Sequence, residues 1–141
     1  MNSNLLTTVF LSRMSYDVDK DVIYTPKNDE INFLADVNKN ISSFSDEKTG
    51  AYCITSLSNN IETMYIAVRG TDSFKDFEID LNVKQVVVNN IAFHSGFNAQ
   101  GKALINLMYG KLKEFMEEGG KNIILCGHSI GGSIACIIAY Y

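Results

Sequence analysis

Residues 127–131 read Gly-His-Ser-Ile-Gly, a serine with a glycine two positions away on either side. A serine in G-x-S-x-G, preceded by a strand and followed by a helix, sits at the apex of a sharp turn with its hydroxyl lifted clear of the sheet. Both flanking segments are present. The run Lys121–Cys126, "KNIILC", has the length and content of a short buried strand, and Ile130–Tyr140 is a very apolar helix. Small residues are needed here for steric reasons, because side chains at the glycine positions would collide with the neighbouring strand or helix. Gly132 and Ser133 keep the helix start narrow. The helix N-terminus behind the serine carries unpaired N–H groups and a partial positive charge. A developing oxyanion would be stabilised there, with the Ile130 N–H as one donor. The chemistry such a residue performs is nucleophilic attack on a carbonyl carbon, with Ser129 as the nucleophile. The competing reading is a glycine-rich βα turn that happens to contain a serine.

A nucleophilic serine needs a base, and the chain has two histidines, His94 and His128. His128 adjoins Ser129 inside the turn. Its side chain is expected to point to the strand side, away from the hydroxyl, in a structural or hydrogen-bonding role. Ser-acid-His enzymes of the strand-turn-helix type carry the acid and the histidine after the serine. The twelve residues after Ser129 contain neither. Asp72, Asp76 and Asp80 all precede it.

The elements that must position Ser129 are readable from periodicity. Residues 4–16 form a helix with Leu5, Leu6, Val9, Phe10 and Met14 on one side. Pro26 marks a break, and a short helix is expected within 28–40 around Ile31, Phe33, Leu34 and Val37. "SSFSDEKTG" reads as a polar turn. Residues 51–58 and 61–69 are two strands of a hairpin joined at Ser58–Asn60, rich in β-branched and aromatic residues. "VKQVVVNN" and "IAFHSGF" form a second extended pair around Asn89–Asn90. From Asn98, the expected cap, to Glu118 the spacing of Ala99, Ala103, Leu104, Leu107, Met108, Leu112, Phe115 and Met116 is helical, and Gly119–Gly120 end the helix. The second half therefore alternates strand and helix, the pattern of a parallel α/β sheet covered on both faces. No repeat or linker marks a boundary, so residues 1–141 are read as a single domain.

Composition restricts the partners. The 141 residues carry a formal net charge of −4, with 46% hydrophobic and 20% charged residues. Lysines are scattered singly, so no basic stripe exists to neutralise phosphates, and nucleic acid is excluded as a partner. Cys53, Cys126 and Cys136 all lie in apolar runs and read as buried free thiols. No CxxC pair or EF-hand loop points to a metal. No apolar run approaches the ~20 residues of a transmembrane helix. The N-terminal "MNSNLLTTVFLSRM" lacks the basic flank and cleavage site of a secretion signal and reads as the first helix.

Three motifs occur in order: "VRGT" at 68–71 with "DF" and "DL" at 76–77 and 80–81, "HSGF" at 94–97, and "GHSIGGSIA" at 127–135. Together they resemble the class 3, fungal-type lipases of the α/β-hydrolase superfamily, over roughly residues 50–141. The resemblance implies an α/β-hydrolase fold, a mostly parallel sheet flanked by helices, with the C-terminal half missing from this chain. It implies a lipase or carboxylester hydrolase acting on acylglycerols or related lipid esters, with no cofactor or metal. Thr71, after "RG", takes the position of the second oxyanion-hole residue beside Ile130. Phe74, Phe77 and Ile79, set among charged residues, match the substrate-covering lid; the family often has Trp where Phe77 stands. His94 matches a histidine that is not the triad base. The partners implied are a lipid ester at a membrane or lipid-droplet surface and a second polypeptide or C-terminal half that completes the sheet. Strand 121–126 would otherwise lie at an exposed apolar edge. Because the base is missing, the alternative reading is a catalytically inactive lipase-like interaction or lipid-binding protein. A peptidase or thioesterase on the same scaffold is disfavoured by the lid-like segment and the "RGT" sequence.

Overall fold

The computed structural model describes residues 3–17, 41–70 and 84–141. The expected helix within 28–40, together with Thr71 and the lid residues Phe74, Phe77 and Ile79, lies outside the described residues. In chain order the elements are α1 (Ser3–Asp17), β1 (Ser42–Asp46), β2 (Ala51–Leu57), β3 (Thr63–Val68), β4 (Gln85–Val88), β5 (Ile91–His94), α2 (Ser95–Glu117), β6 (Asn122–Gly127) and α3 (Ile130–Tyr140). One sheet has the order β1-β2-β3-β6, and β4 and β5 form a separate hairpin.

The α/β class is as expected, but the described sheet is mixed and not mostly parallel. The β1–β2 and β2–β3 pairs are antiparallel, and only the β3–β6 pair is parallel, with Ile66 opposite Leu125. The reason is connectivity. Short turns join β1 to β2 and β2 to β3, and such turns permit only antiparallel pairing. The long excursion through α2 permits parallel pairing of β3 and β6.

Strands β2 and β3 alternate between two cores. Ala51, Cys53, Met64, Ile66 and Val68 face Leu104, Met108 and Phe115 of α2 and Ile130, Ile134 and Ile138 of α3. Tyr52, Ile54, Tyr65 and Ala67 face Leu11 and Met14 of α1. A strand buried on both sides reads as a continuous apolar run, which is why both segments carry almost no charge. Each fully buried Leu, Ile or Met contributes about 1.5–3 kcal/mol.

Four sequence expectations need correction. Ser42–Asp46 is not wholly a turn: it is edge strand β1, in register with Thr55–Ala51, and the turn occupies only the residues after it. There the Asp46 carboxylate accepts from the Thr49 N–H (2.8 Å) and hydroxyl (2.6 Å), which hold its pKa below the ordinary carboxylate value. α2 is capped by His94, not Asn98: the His94 Nδ1 accepts from the Phe97 N–H at 3.4 Å. Asn98 is buried and accepts from the Tyr141 hydroxyl at 2.8 Å. On α1 the buried face is Thr7, Leu11, Met14 and Ser15, whereas Leu5 and Val9 are exposed; apolar and hydroxyl side chains are mixed around the helix with no dominant apolar stripe, so the sheet and not the pattern selects the face. Of the cysteines only Cys53 is fully buried, with burial pushing its thiol up to about 12; Cys126 is half-buried and Cys136 exposed.

The break expected at Pro26 lies outside the described residues, and the expected hairpin turns hold. Asn89 and Asn90 take φ of 47° and 65°, the left-handed pair that a two-residue hairpin requires and that asparagine tolerates. Gly110 lies in the middle of α2 with open space where a Cβ would project. Gly110→Ala is expected to stabilise the protein by about 0.5–1 kcal/mol, read as a higher urea midpoint, because it removes glycine's unfolded-state entropy without a clash.

Candidate active site

The C-terminal ends of β3 and β6 lie side by side, with Val68 opposite Gly127, and α3 starts immediately behind them. The chain turns from β6 into α3 through His128–Gly131, closed by the Gly131 N–H donating to the His128 carbonyl at 3.0 Å. Ser129 occupies the second position of this turn with φ 56° and ψ −129°. That is the geometry of a type II′ turn, where glycine is the usual residue. A serine there stores backbone strain of about 1–3 kcal/mol.

Two close approaches explain why no larger residue flanks the serine. A Cβ on Gly127 would overlap the backbone of Gly131 and Gly132. A Cβ on Gly131 would overlap the Val68 carbonyl, with the Arg69 carbonyl carbon and the Gly70 nitrogen each 2.9 Å away. The first turn of α3 is thus wedged against the ends of both strands.

Ser129 is exposed, and its side chain makes no capping hydrogen bond to α3. The amides of Gly131 and Gly132 are taken by the His128 and Ser129 carbonyls. The Ile130 N–H is the first amide of α3, next to the Ser129 hydroxyl in sequence, while the Ile130 side chain is buried and anchors the turn in the core. A hydroxyl at the mouth of a helix N-terminus, with an amide beside it, is an arrangement that can hold negative charge on a carbonyl oxygen. Thr71 would continue directly from Gly70 at the end of β3, but it falls outside the described residues, as do Phe74, Phe77 and Ile79.

Neither histidine is bonded to Ser129. His128 turns toward α1, where its Nδ1 lies 3.2 Å from the Tyr16 hydroxyl. His94 caps α2 and stacks on Phe97 with ring centroids 4.1 Å apart. Sequence reasoning turned His128 away from the serine correctly but missed Tyr16. No local signal could have found that partner, 112 positions away. Among the described residues no group of three or more His, Cys, Asp or Glu side chains could hold a metal ion.

A groove of about 740 Å³ opens beside β6, between α1 (Val9, Arg13) and α3 (Cys136, Ala139), floored by Leu125 and Cys126. Among the described residues no strand pairs with this side of β6.

A strand-turn-helix serine at the carboxyl end of a parallel strand pair places the chain among α/β-hydrolases. Residues 65–141, more than half of the chain, match the family model "Lipase (class 3)", and the chain belongs to that family. Solved structures agree in fold. Lipase II from Rhizopus niveus superimposes with a TM-score of 0.76 at 17% identity, covering 98% of this chain and 54% of its own. Nonglycosylated LIP2 lipase from Yarrowia lipolytica gives 0.76 at 19% identity, covering 98% and 52%. Rhizomucor miehei triacylglyceride lipase gives 0.72 at 22% identity, again covering 98% and 52%. The chain spans about half the length of these solved lipases. No curated protein matches its sequence.

Proposed function

We propose that this chain carries the nucleophile half of a serine ester hydrolase acting on acylglycerols or related lipid esters. The observation that carries the reading is Ser129 itself: a solvent-facing hydroxyl held at φ 56°, ψ −129° on the β6–α3 turn. A position this strained is retained where the strain serves a site. In the proposed reaction the Ser129 Oγ attacks the ester carbonyl carbon and its proton passes to a base. The carbonyl oxygen becomes an oxyanion, held by the Ile130 N–H and by Thr71. Collapse expels the alcohol, which takes the proton, and water then cleaves the acyl-serine bond. Phe74, Phe77 and Ile79 would cover the bound acyl chain.

The base and its acid are proposed to come from outside these 141 residues. Helices α2 and α3 cover the same face of the sheet. Crossovers between parallel strands are right-handed as a rule, so with α3 on the same face as α2 a connection through α3 would bring the next strand to the free side of β6, into the groove. A C-terminal half or a second polypeptide would complete the sheet there. The expectation of a single domain over residues 1–141 stands as part of this proposal. No described helix is long and apolar enough to cross a membrane, and the lipid is proposed to be met at a membrane or lipid-droplet surface.

The second reading, a lipase-like protein that binds lipid or a partner without catalysis, draws on one observation: both histidines are engaged away from Ser129. A fluorophosphonate probe separates the two. Covalent labelling at Ser129, located by peptide mass, is expected for the hydrolase. A full-length protein that stays unlabelled while binding lipid vesicles would establish the second reading instead.

A further inference from the structure

Two backbone segments meet at the candidate site, and one side chain from a third element touches both. Tyr16, at the end of α1, lies 3.2 Å from the His128 Nδ1, and the two rings meet edge-on with centroids 6.1 Å apart. The same hydroxyl stands 2.6 Å from where a Cβ on Gly70 would project, and the His128 carbonyl oxygen stands 2.5 Å from that point. His128 is the residue before Ser129, and Gly70 is the residue before Thr71. The phenol therefore sits over the gap between the end of β3 and the end of β6. The absence of a side chain at Gly70 leaves it room there.

We infer that Tyr16 is a positioning residue: through His128 and its seat over Gly70 it fixes the β6–α3 turn relative to the segment that leaves β3. The inference rests on the ester-hydrolase reading of Ser129. If that reading holds, the Ile130 N–H and Thr71 must converge on one oxygen, and they are delivered by two different strands. Backbone hydrogen bonds hold β3 and β6 together only as far as Val68 and Gly127. Beyond those residues the strands stop and the two functional segments begin, and it is there that Tyr16 bridges them. Helix α1 is itself fixed at its other end, where the Tyr65 hydroxyl of β3 donates to the Asn4 Oδ1 at 2.9 Å. A side chain tied at a distance from the chemistry can act on rate because donors must sit within a fraction of an ångström of the transition-state oxygen.

The test is Tyr16→Phe in the full-length protein, with fluorophosphonate labelling of Ser129 followed as a function of probe concentration. The ring is kept and the hydroxyl lost. The expected result is a fall of about tenfold in the limiting labelling rate, with half-saturation unchanged. The melting temperature should move little, because the lost hydrogen bond is solvent-exposed. His128→Phe should give a similar fall, and the double variant should fall no further than either single one, since both cut the same bridge. An unchanged labelling rate in Tyr16→Phe, or additive losses in the double variant, would overturn the inference while the ester-hydrolase reading stands. A parent protein that does not label at all would overturn both.

Discussion

Ser129→Gly is expected to raise the thermal stability of the protein while abolishing its reaction with fluorophosphonate. The two effects have one origin. Serine at φ 56°, ψ −129° is strained by about 1–3 kcal/mol, and glycine adopts the same angles freely. Glycine's greater unfolded-state entropy takes back about 0.5–1 kcal/mol. A net gain of about 1 kcal/mol remains, equivalent to about 3 °C in melting temperature for a chain of this size. Ser129→Ala removes the hydroxyl but keeps the Cβ, so it should lose labelling without the gain in stability. Loss of ester hydrolysis in either variant should reach about 10³-fold or more, the scale on which removal of a nucleophile acts. Labelling that persists in Ser129→Ala would mean that the reactive group lies elsewhere. A lower melting temperature in Ser129→Gly would mean that the turn stores no strain.

The second large effect is expected at Gly131. A Cβ there would overlap the carbonyl of Val68, the last β3 residue of both ladders, and press on the backbone at Gly70 and at Arg69, whose N–H donates to the Tyr52 carbonyl at 2.9 Å. No rotamer change relieves a clash between a Cβ and main chain. α3 must move outward, taking Ile130 and Ile134 from the core they share with Val68 and Leu104. Gly131→Ala should therefore cost about 3 kcal/mol, at the upper end of overpacking effects, read as a lower urea midpoint at unchanged slope. The neighbouring Gly132→Ala provides the contrast. Its Cβ would meet only the Gly127 carbonyl oxygen at 3.2 Å, a contact that shifts of a few tenths of an ångström relieve. If both variants unfold at the same denaturant concentration, the wedge of α3 between the strand ends is not what holds the turn.

Both predictions concern residues that the sequence singled out, and the reason is physical. The strand, turn and helix around Ser129 are contiguous, so their sterics are written in adjacent glycines. The hairpins were legible in the same way: Asn89–Asn90 supply the left-handed turn of β4–β5, and the apolar runs on either side of Ser58–Asn60 supply β2 and β3. The body and the end of α2 followed from its three- and four-residue apolar spacing, but its first residues, Ser95–Phe97, and its cap did not. Asn98 and His94 both have side chains that can accept an amide hydrogen bond. Which one does so depends on where β5 ends, and that is set by its pairing with β4.

The amino-acid order alone determined those elements whose partners lie within a few residues: the two hairpins, the long helix, the strand-turn-helix at Ser129 and the family motifs built on it. The folded molecule decided the rest. It made a strand of the polar segment Ser42–Asp46, because β2 offered it an edge; it chose the buried face of α1, because apolar side chains are scattered around that helix without a single stripe; and it set Tyr16 against His128. The last two outcomes depend on surfaces that approach one another only after the chain has collapsed. Pairings between residues so far apart leave no trace in local spacing.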